Sequence, residues 1–369
     1  MLRDYIKVEA LTPTVTHADW VYTRSFTAHG TFEQQVRRVL TQLRDAAAAA
    51  DLVPSRYARC EIVLKDLSRF ETVLQLFREL LDAELPTIRL VPERVMHGDA
   101  VFSAAVCGPN ERVGALQRYE TAEVSYPLAI RAGRTVYTSS FWASDPSGLT
   151  HDSESALEQL FTAVRAVGAR PDDLVKNFVV LTDMDAFEEF NAIYGARVHG
   201  MATRPARTSH GVSALPDGAS VAIDGIAIID AEREAVEVPG SDTGLDLPFS
   251  AALRADDLLF VSGQVGVFAP DGSYRLNVGP QTTTMFELVE TIAAAAGSSV
   301  DHYVKATGVV TNPTAWDVFL AEYMHRMPQQ PGVLSVYEVS RLSFPAILTE
   351  MDVVAVLAAA NPTRTTGKA

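Results

Sequence analysis

Residues Val175–Tyr194 read VKNFVVLTDMDAFEEFNAIY. The stretch opens on a valine-rich apolar run of strand length, stops at the polar Thr182-Asp183, and resumes with helical spacing after Phe187. The same order recurs upstream as CEIVLKDLSRFETVLQLF (Cys60–Phe77) and downstream as VKATGVVTNPTAWDVFLAEY (Val304–Tyr323). In all three an apolar strand is followed by Lys or Thr, then Asp or Asn, and then an aromatic residue four positions on: Phe70, Phe187 and Trp316. Val63, Val180 and Val309 mark one equivalent position. Internal repetition at such a period decides the fold before any single element is assigned.

The flanks repeat as well. The first copy begins with the strand VYTRSF (Val21–Phe26) and an amphipathic stretch that puts Phe32, Val36, Leu40 and Leu43 on one helical face. The second begins with VYTSSF (Val136–Phe141) and ESALEQLFTAVRAVG, and closes with RPARTSHGVSALPDGASVAIDGIAII. The third has LFVSGQVGV, TTTMFELVETIAAAAGSS and SVYEVSRLSFPAILTEMDVVAVL, and is lengthened by the turn-rich FAPDGSYRLNVG. Three units follow: 1–108, 119–231 and 245–360. Polar linkers at Gly108–Tyr119 and Ala231–Gly244 are expected between them, with a disordered tail at 361–369. The expected class is α/β (α+β), each unit carrying two helices on one face of a sheet and needing a neighbour to cover the other.

Composition narrows the function. The chain has 369 residues, 31 Lys plus Arg against 46 Asp plus Glu, and a formal charge of −15. No nucleic-acid or anionic-membrane partner is expected without a basic face. Hydrophobic content of 47% supports a packed core. No apolar run reaches the ~18 residues of a membrane span. The opening MLRDYIKVEAL lacks the layout of a secretory signal, and Cys60 and Cys107 form no CxxC or disulfide framework, so a cytoplasmic location is expected. The eight His show no metal-ligand spacing, so no metal is expected.

The second and third copies resemble the RidA (reactive intermediate deaminase A, YjgF-like) family. The resemblance rests on VYTSS, VKNFVVLTDMDAFEEFNAIY and RPARTSHGVSALPDGASVAIDGIA in one, and on LFVSGQ, AAAAGSS and VKATGVVTNPTAW in the other. The first copy is a diverged version. Family members are short subunits of the chorismate-mutase-like fold that form trimers, with sheets inside, helices outside and clefts between subunits. The resemblance therefore implies a single-chain pseudo-trimer, monomeric or a dimer of that unit. It also implies imine or enamine hydrolysis without a cofactor: an Arg grips the substrate carboxylate, a Glu positions or activates water, and a Ser-Gly pair lends polar contacts.

Residue by residue, the set is scattered. The second copy has the Arg (Arg207), the Tyr (Tyr126), and Ser139-Ser140 for the Ser-Gly pair, with His210 nearby. Ala222 takes the acid position, and Asp224, two residues on, is the expected substitute. The third copy has Ser262-Gly263-Gln264 and Glu350, but Leu334 stands for the Arg and Phe249 for the Tyr. In the first copy Phe102 stands at the acid position and Arg89 is a candidate cation. Arg207 suits a carboxylate. Glu350, a carboxylate in an apolar strand, suits proton transfer, and His210 is a candidate for titration near neutral pH.

The reading that follows is an enzyme for a small carboxylate-bearing metabolite with one specialised inter-repeat cleft. Its reaction is hydrolysis of an imine or enamine, or a related lyase or cyclase step, and fusion of three copies suggests a dedicated pathway such as natural product biosynthesis. Two alternatives stand beside it. Chorismatases, single chains that imitate the same trimer, would make Glu350 the acid in hydrolysis of chorismate. A catalytically dead binding or scaffolding module is the other.

Overall fold

The computed structural model describes residues 11–93, 101–238, 247–269, 272–327, 332–358 and 363–365. The first unit comprises β1 (Thr14–His17), β2 (Trp20–Thr23), β3 (Phe26–Thr27), α1 (Phe32–Ala48), β4 (Arg59–Leu64), α2 (Phe70–Leu81), β5 (Thr87–Val91) and β6 (Phe102–Pro109). The second runs through β7 (Gln117–Tyr119), β8 (Ala129–Ala132), β9 (Thr135–Thr138), α3 (Leu149–Ala166), β10 (Leu174–Leu181), α4 (Phe187–Val198), β11 (Ala206–Gly211) and β12 (Val221–Ile228). The third contains β13 (Arg233–Ala235), β14 (Ala252–Ala255), β15 (Leu258–Val265), α5 (Val278–Ala295), β16 (Tyr303–Val310), α6 (Pro313–Arg326), β17 (Val333–Glu338) and β18 (Thr349–Val356), followed by β19 (Thr363–Thr365).

Each unit folds the same way. A hairpin (β8–β9 in the second) leads into a helix, and the central strand then pairs in parallel with the next strand and antiparallel with the closing one. The central strands β4, β10 and β16 align on the valines that mark the repeat: Val63 pairs with Ser103, Val180 with Ala222 and Val309 with Glu350. The acid position of the first copy is therefore Ser103, and Phe102, one residue earlier, belongs to the opposite face.

Two sides of each sheet are covered differently. Outside, the apolar stripe of each helix pair packs on its own sheet: Val36, Leu40, Leu43, Leu74 and Phe77 in the first unit, for example. Inside, Tyr22, Tyr137 and Phe260 meet in a core that draws on all three units, together with Phe178, Ile226, Val304 and Val354. The chain is a single-chain pseudo-trimer, with sheets inward and helices outward.

The connecting segments do more than link. β7 pairs with β8 and β13 with β14, so residues read as linkers supply the edge strand of the following unit. The tail behaves alike: Thr363–Thr365 pair with Thr14–Thr16 of β1 and close the ring on the first unit. Its disorder was expected from composition, yet a three-residue edge strand needs backbone partners, not apolar side chains. Residues 366–369 lie outside the described residues.

Candidate active site at the seam of the second and third units

Arg207 lies on β11, at the edge of the second unit facing β15 of the third. Alternation along β11 sends Arg207 and Ser209 to one face and Thr208 and His210 to the other. The backbone is sutured to the third unit: Arg207 N–H donates to Ser262 Oγ at 2.8 Å, and Ser262 Oγ donates to the Ser250 carbonyl at 2.6 Å. The guanidinium sits among four rings, with Phe249 at 4.5 Å, Tyr194 at 4.8 Å, Phe187 at 5.5 Å and Phe190 at 5.6 Å from Cζ to ring centroid. Nη2 donates to Asn191 Oδ1 at 2.6 Å, whereas Nη1 has no hydrogen-bond partner among the described residues. Burial lowers its pKa to about 10, so it remains a cation at neutral pH.

Glu350 arrives at the same seam from β18. It is 4% exposed, against 3% for Arg207. Its carboxylate accepts the Ser209 N–H across the seam and lies directly over Gly263. A Cβ on Gly263 would stand 1.7 Å from Glu350 Oε1, so the acid requires glycine beneath it. An irregularity of β15 between Val261 and Gln264 breaks the regular ladder under the acid. Burial first, and then Asp352, raise the Glu350 pKa to about 8 against the pull of Lys176 and Arg207. The two charges influence each other but form no ion pair. Phe249, Gly263 and Gln264 are partly exposed at the edge of this seam.

The other sequence-nominated residues go elsewhere. Tyr126, Ser139 and Ser140 do not surround Arg207; they face the first unit. Ser139 Oγ accepts the Ile88 N–H at 2.8 Å and donates to the Pro127 carbonyl, repeating the Ser262 suture with Ile88 in the place of Arg207. Ser140 Oγ accepts the Leu90 N–H at 3.1 Å. Leu90 corresponds to Ser209, so the hydroxyl there satisfies the amide that the Glu350 carboxylate satisfies in the other seam. Tyr126 packs edge-on against Phe70. In that seam the positions of Arg207 and Glu350 are held by Ile88 and Ala222, neither of them charged. In the seam of the third and first units, Ser25 N–H donates to the Leu334 carbonyl and Ser25 Oγ to Ser335 Oγ, and the acid position is Ser103.

Arg89, Asp224 and His210 point to the pseudo-threefold axis. Arg89 sits one position past Ile88, the site equivalent to Arg207, and so lies on the inner face. It is ion-paired with Glu61 and lies 3.7 Å from Asp224. Asp224, expected to replace the missing acid beside Arg207, pairs instead with Arg59 of the first unit. His210 Nε2 is 3.2 Å from Tyr337 Oη, and burial followed by the nearby Arg89 pushes its pKa down to about 3. It is a neutral core residue, not one that titrates near pH 7.

A ring of charges thus links the units: Arg59 to Asp224, Lys176 to Asp352 at 3.9 Å, and Lys305 to Glu61 at 3.2 Å. Burial alone would raise the Glu61 pKa, yet Lys305, Arg89 and Arg59 hold it far below the usual range. Arg59, Glu61, Lys305 and Asp352 of this ring line a cavity of about 40 Å³ together with Cys107 and Thr307. Sequence reading missed Asn191, Ser209, Lys176 and Asp352. A signal existed for the ring: each unit has a basic residue four positions before its marker valine, at Arg59, Lys176 and Lys305. Among the described residues no group of His, Cys, Asp and Glu could hold a metal ion, and no helix is long and apolar enough to cross a membrane.

Comparison with known proteins agrees with this architecture. The sequence profile of the family described as Endoribonuclease L-PSP matches residues 117–229 and again 245–357. The 2-iminobutanoate/2-iminopropanoate deaminase of Mus musculus is 34% identical over 110 residues, covering 28% of this chain and 80% of that protein. The Homo sapiens protein of the same name is 31% identical over 110 residues, covering 28% and 79%. Among solved structures, a chorismatase aligns over 93% of this chain and 99% of its own with a TM-score of 0.59 and 11% identity, a likeness of fold. The chain therefore belongs to the Endoribonuclease L-PSP family, with two matched RidA-like repeats and a diverged third in one polypeptide.

Proposed function

We propose that the chain is a cofactor-independent enzyme for a small carboxylate-bearing metabolite, working at the seam where Arg207 and Glu350 meet. One observation carries the reading: a buried guanidinium whose Nη1 has no partner among the described residues and a buried carboxyl group converge on one seam from two different units. A buried cation with an open hydrogen-bonding edge recruits an anionic partner. A carboxyl group titrating near 8 holds a proton to give at neutral pH.

Hydrolysis of an imine or enamine fits these two groups, and the two mammalian relatives are named as deaminases of 2-iminobutanoate and 2-iminopropanoate. The substrate carboxylate pairs with Arg207. For an enamine, the Glu350 proton goes to the β-carbon and leaves an iminium. Water adds to the iminium carbon, a proton moves from the added oxygen to nitrogen, and the C–N bond breaks to release ammonia. The carbonyl forms as the last proton returns to Glu350. The products are a keto acid and ammonia, and the protein is unchanged.

The chorismatase-like fold keeps hydrolysis of chorismate as a second reading. Chorismate carries two carboxylates, and one open guanidinium edge matches a monocarboxylate better. The test is turnover of 2-imino acids generated in solution, run beside chorismate, with wild type, Arg207→Ala and Glu350→Gln. Release of ammonia and keto acid, lost by ~10²-fold or more in both variants, is expected. Turnover of chorismate alone selects the second reading. Ligand-dependent stabilisation without product marks a binding module. Equal activity in all three proteins removes the site assignment.

A further inference from the structure

We propose that Asp352, clamped by Thr208 and faced by Lys176, is a positioning residue that keeps Glu350 uncharged in the resting seam. The inference rests on reading Glu350 as the proton donor, and it adds three residues, Asp352, Thr208 and Lys176, that no part of that reading requires. Asp352 and Glu350 are two apart on β18 and so point to one face, with both side chains buried. Two carboxylates confined that closely in a dry site do not both ionise freely.

The geometry decides which of them keeps the charge. Asp352 Oδ2 accepts a hydrogen bond from Thr208 Oγ1 at 3.0 Å. Its other oxygen lies 3.9 Å from Lys176 Nζ, and Lys176 is fixed by donating to Thr208 Oγ1 at 2.7 Å and to the Val261 carbonyl at 2.6 Å. Glu350 receives much less. Around it stand Asp352 on its own strand, Lys176 on β10, Arg207 and the Ser209 amide on β11, and the bare Gly263 on β15. Among the described residues no cation forms an ion pair with Glu350, and the Ser209 N–H is the backbone donor it meets. Thr208 and Lys176 both serve Asp352 and leave Glu350 without an equivalent partner, so the proton resides on Glu350. The shifts agree in direction: Glu350 is raised to about 8, by burial and then Asp352, while burial lowers Lys176 to about 8 against the pull of Asp352 and Glu350.

The seam shared by the first and second units supplies the competing account. There Asp224 holds the position of Asp352 and pairs with Arg59, but the acid position is Ala222. The inner pair thus persists without an acid to tune, so a purely structural role for Asp352 is the competing account.

Carboxyl ¹³C NMR of the full chain separates the two. The Glu350 signal is assigned by its loss in Glu350→Gln and followed from pH 4 to 10. In wild type its midpoint is expected near 8, and in Asp352→Asn at least one unit lower. A wild-type midpoint in the ordinary range near 4.5 overturns the proposal without need of any variant. So does an unchanged midpoint in folded Asp352→Asn, which is what a structural role gives. Lys176→Met is expected to move the midpoint upward, and a downward move overturns the assignment. None of these readouts uses turnover, so absence of activity on every substrate would fail the function and leave this coupling standing.

Discussion

Glu350 lies over Gly263 and accepts the amide of Ser209, two residues from Arg207 on the neighbouring unit. The Arg and the Glu that no single repeat possesses together are therefore supplied to one seam by two repeats. A seam between units takes its residues from both sides, so the separation of Arg207 and Glu350 in sequence is what the proposed site requires. The other two seams carry neither group: Ile88 or Leu334 stands at the position of the cation and Ala222 or Ser103 at that of the acid.

Gly263→Ser gives the first prediction. Ser140 occupies the corresponding place in the seam without an acid, where its hydroxyl accepts the Leu90 amide. A serine at 263 would force the Glu350 carboxylate off the Ser209 amide, since its Cβ needs the space of Oε1. Activity is expected to fall about as far as in Glu350→Gln, roughly 10²-fold or more. In Gly263→Ser/Glu350→Ala the hydroxyl can take the Ser209 amide, so chemical denaturation should show stability returning toward wild type. Full activity in Gly263→Ser would refute the geometry.

The repeat, the strand and helix order and the outer apolar stripes are legible in the sequence because each is a local periodicity. What could not be read is which side of a seam a residue serves. Tyr126, Ser139 and Ser140 lie in the same repeat as Arg207, yet they serve its other edge, because pairing across units leaves no periodic trace. Arg89 differs from a site residue by one strand position, which reverses its face. Asp224 shares a strand face with Ala222, but Arg59 of the first unit claims it. The edge strands β7, β13 and β19 are three residues long, too short for any alternation to register.

Glu350→Gln should stabilise the protein at neutral and alkaline pH. A carboxyl whose pKa is raised on folding favours the folded state fully below its unfolded value of 4.5 and loses that contribution as pH rises to about 8. The loss is about 1.4 kcal/mol per pH unit within that window. Glutamine removes it, so the difference in urea midpoint between variant and wild type should widen from pH 5 to pH 8. A constant difference would show that Glu350 titrates normally.

His210 works on the acid side. Its pKa falls on folding from 6.5 to about 3, so the contribution is complete above pH 6.5 and drains as pH drops toward 3. His210→Phe keeps a ring beside Tyr337, 5.5 Å away, without a proton to bind. The variant should lose less stability than wild type between pH 6.5 and 4, by up to about 1.4 kcal/mol per unit. Identical slopes would mean that the imidazole is protonated in the fold.

Asp224→Ala tests the charge ring apart from the chemistry. Asp224 is buried between Arg59 and Arg89, and its removal leaves two guanidinium groups short of a counter-charge. Stripping one partner from a buried ion pair costs about 3–5 kcal/mol. Glu61, still paired with Arg89 and Lys305, limits the damage on one side only, because Arg59 pairs solely with Asp224 among the described residues. The denaturation midpoint should therefore fall steeply, and Arg59→Met/Asp224→Leu should recover much of it by replacing the pair with apolar contacts around Tyr137 and Phe178, which already pack on the Arg59 guanidinium. Kinetic constants of the folded double variant should stay near wild type, since this pair joins the first and second units and Arg207 and Glu350 sit at the next seam. A double variant that folds but loses turnover would show instead that the ring controls the working seam from across the axis.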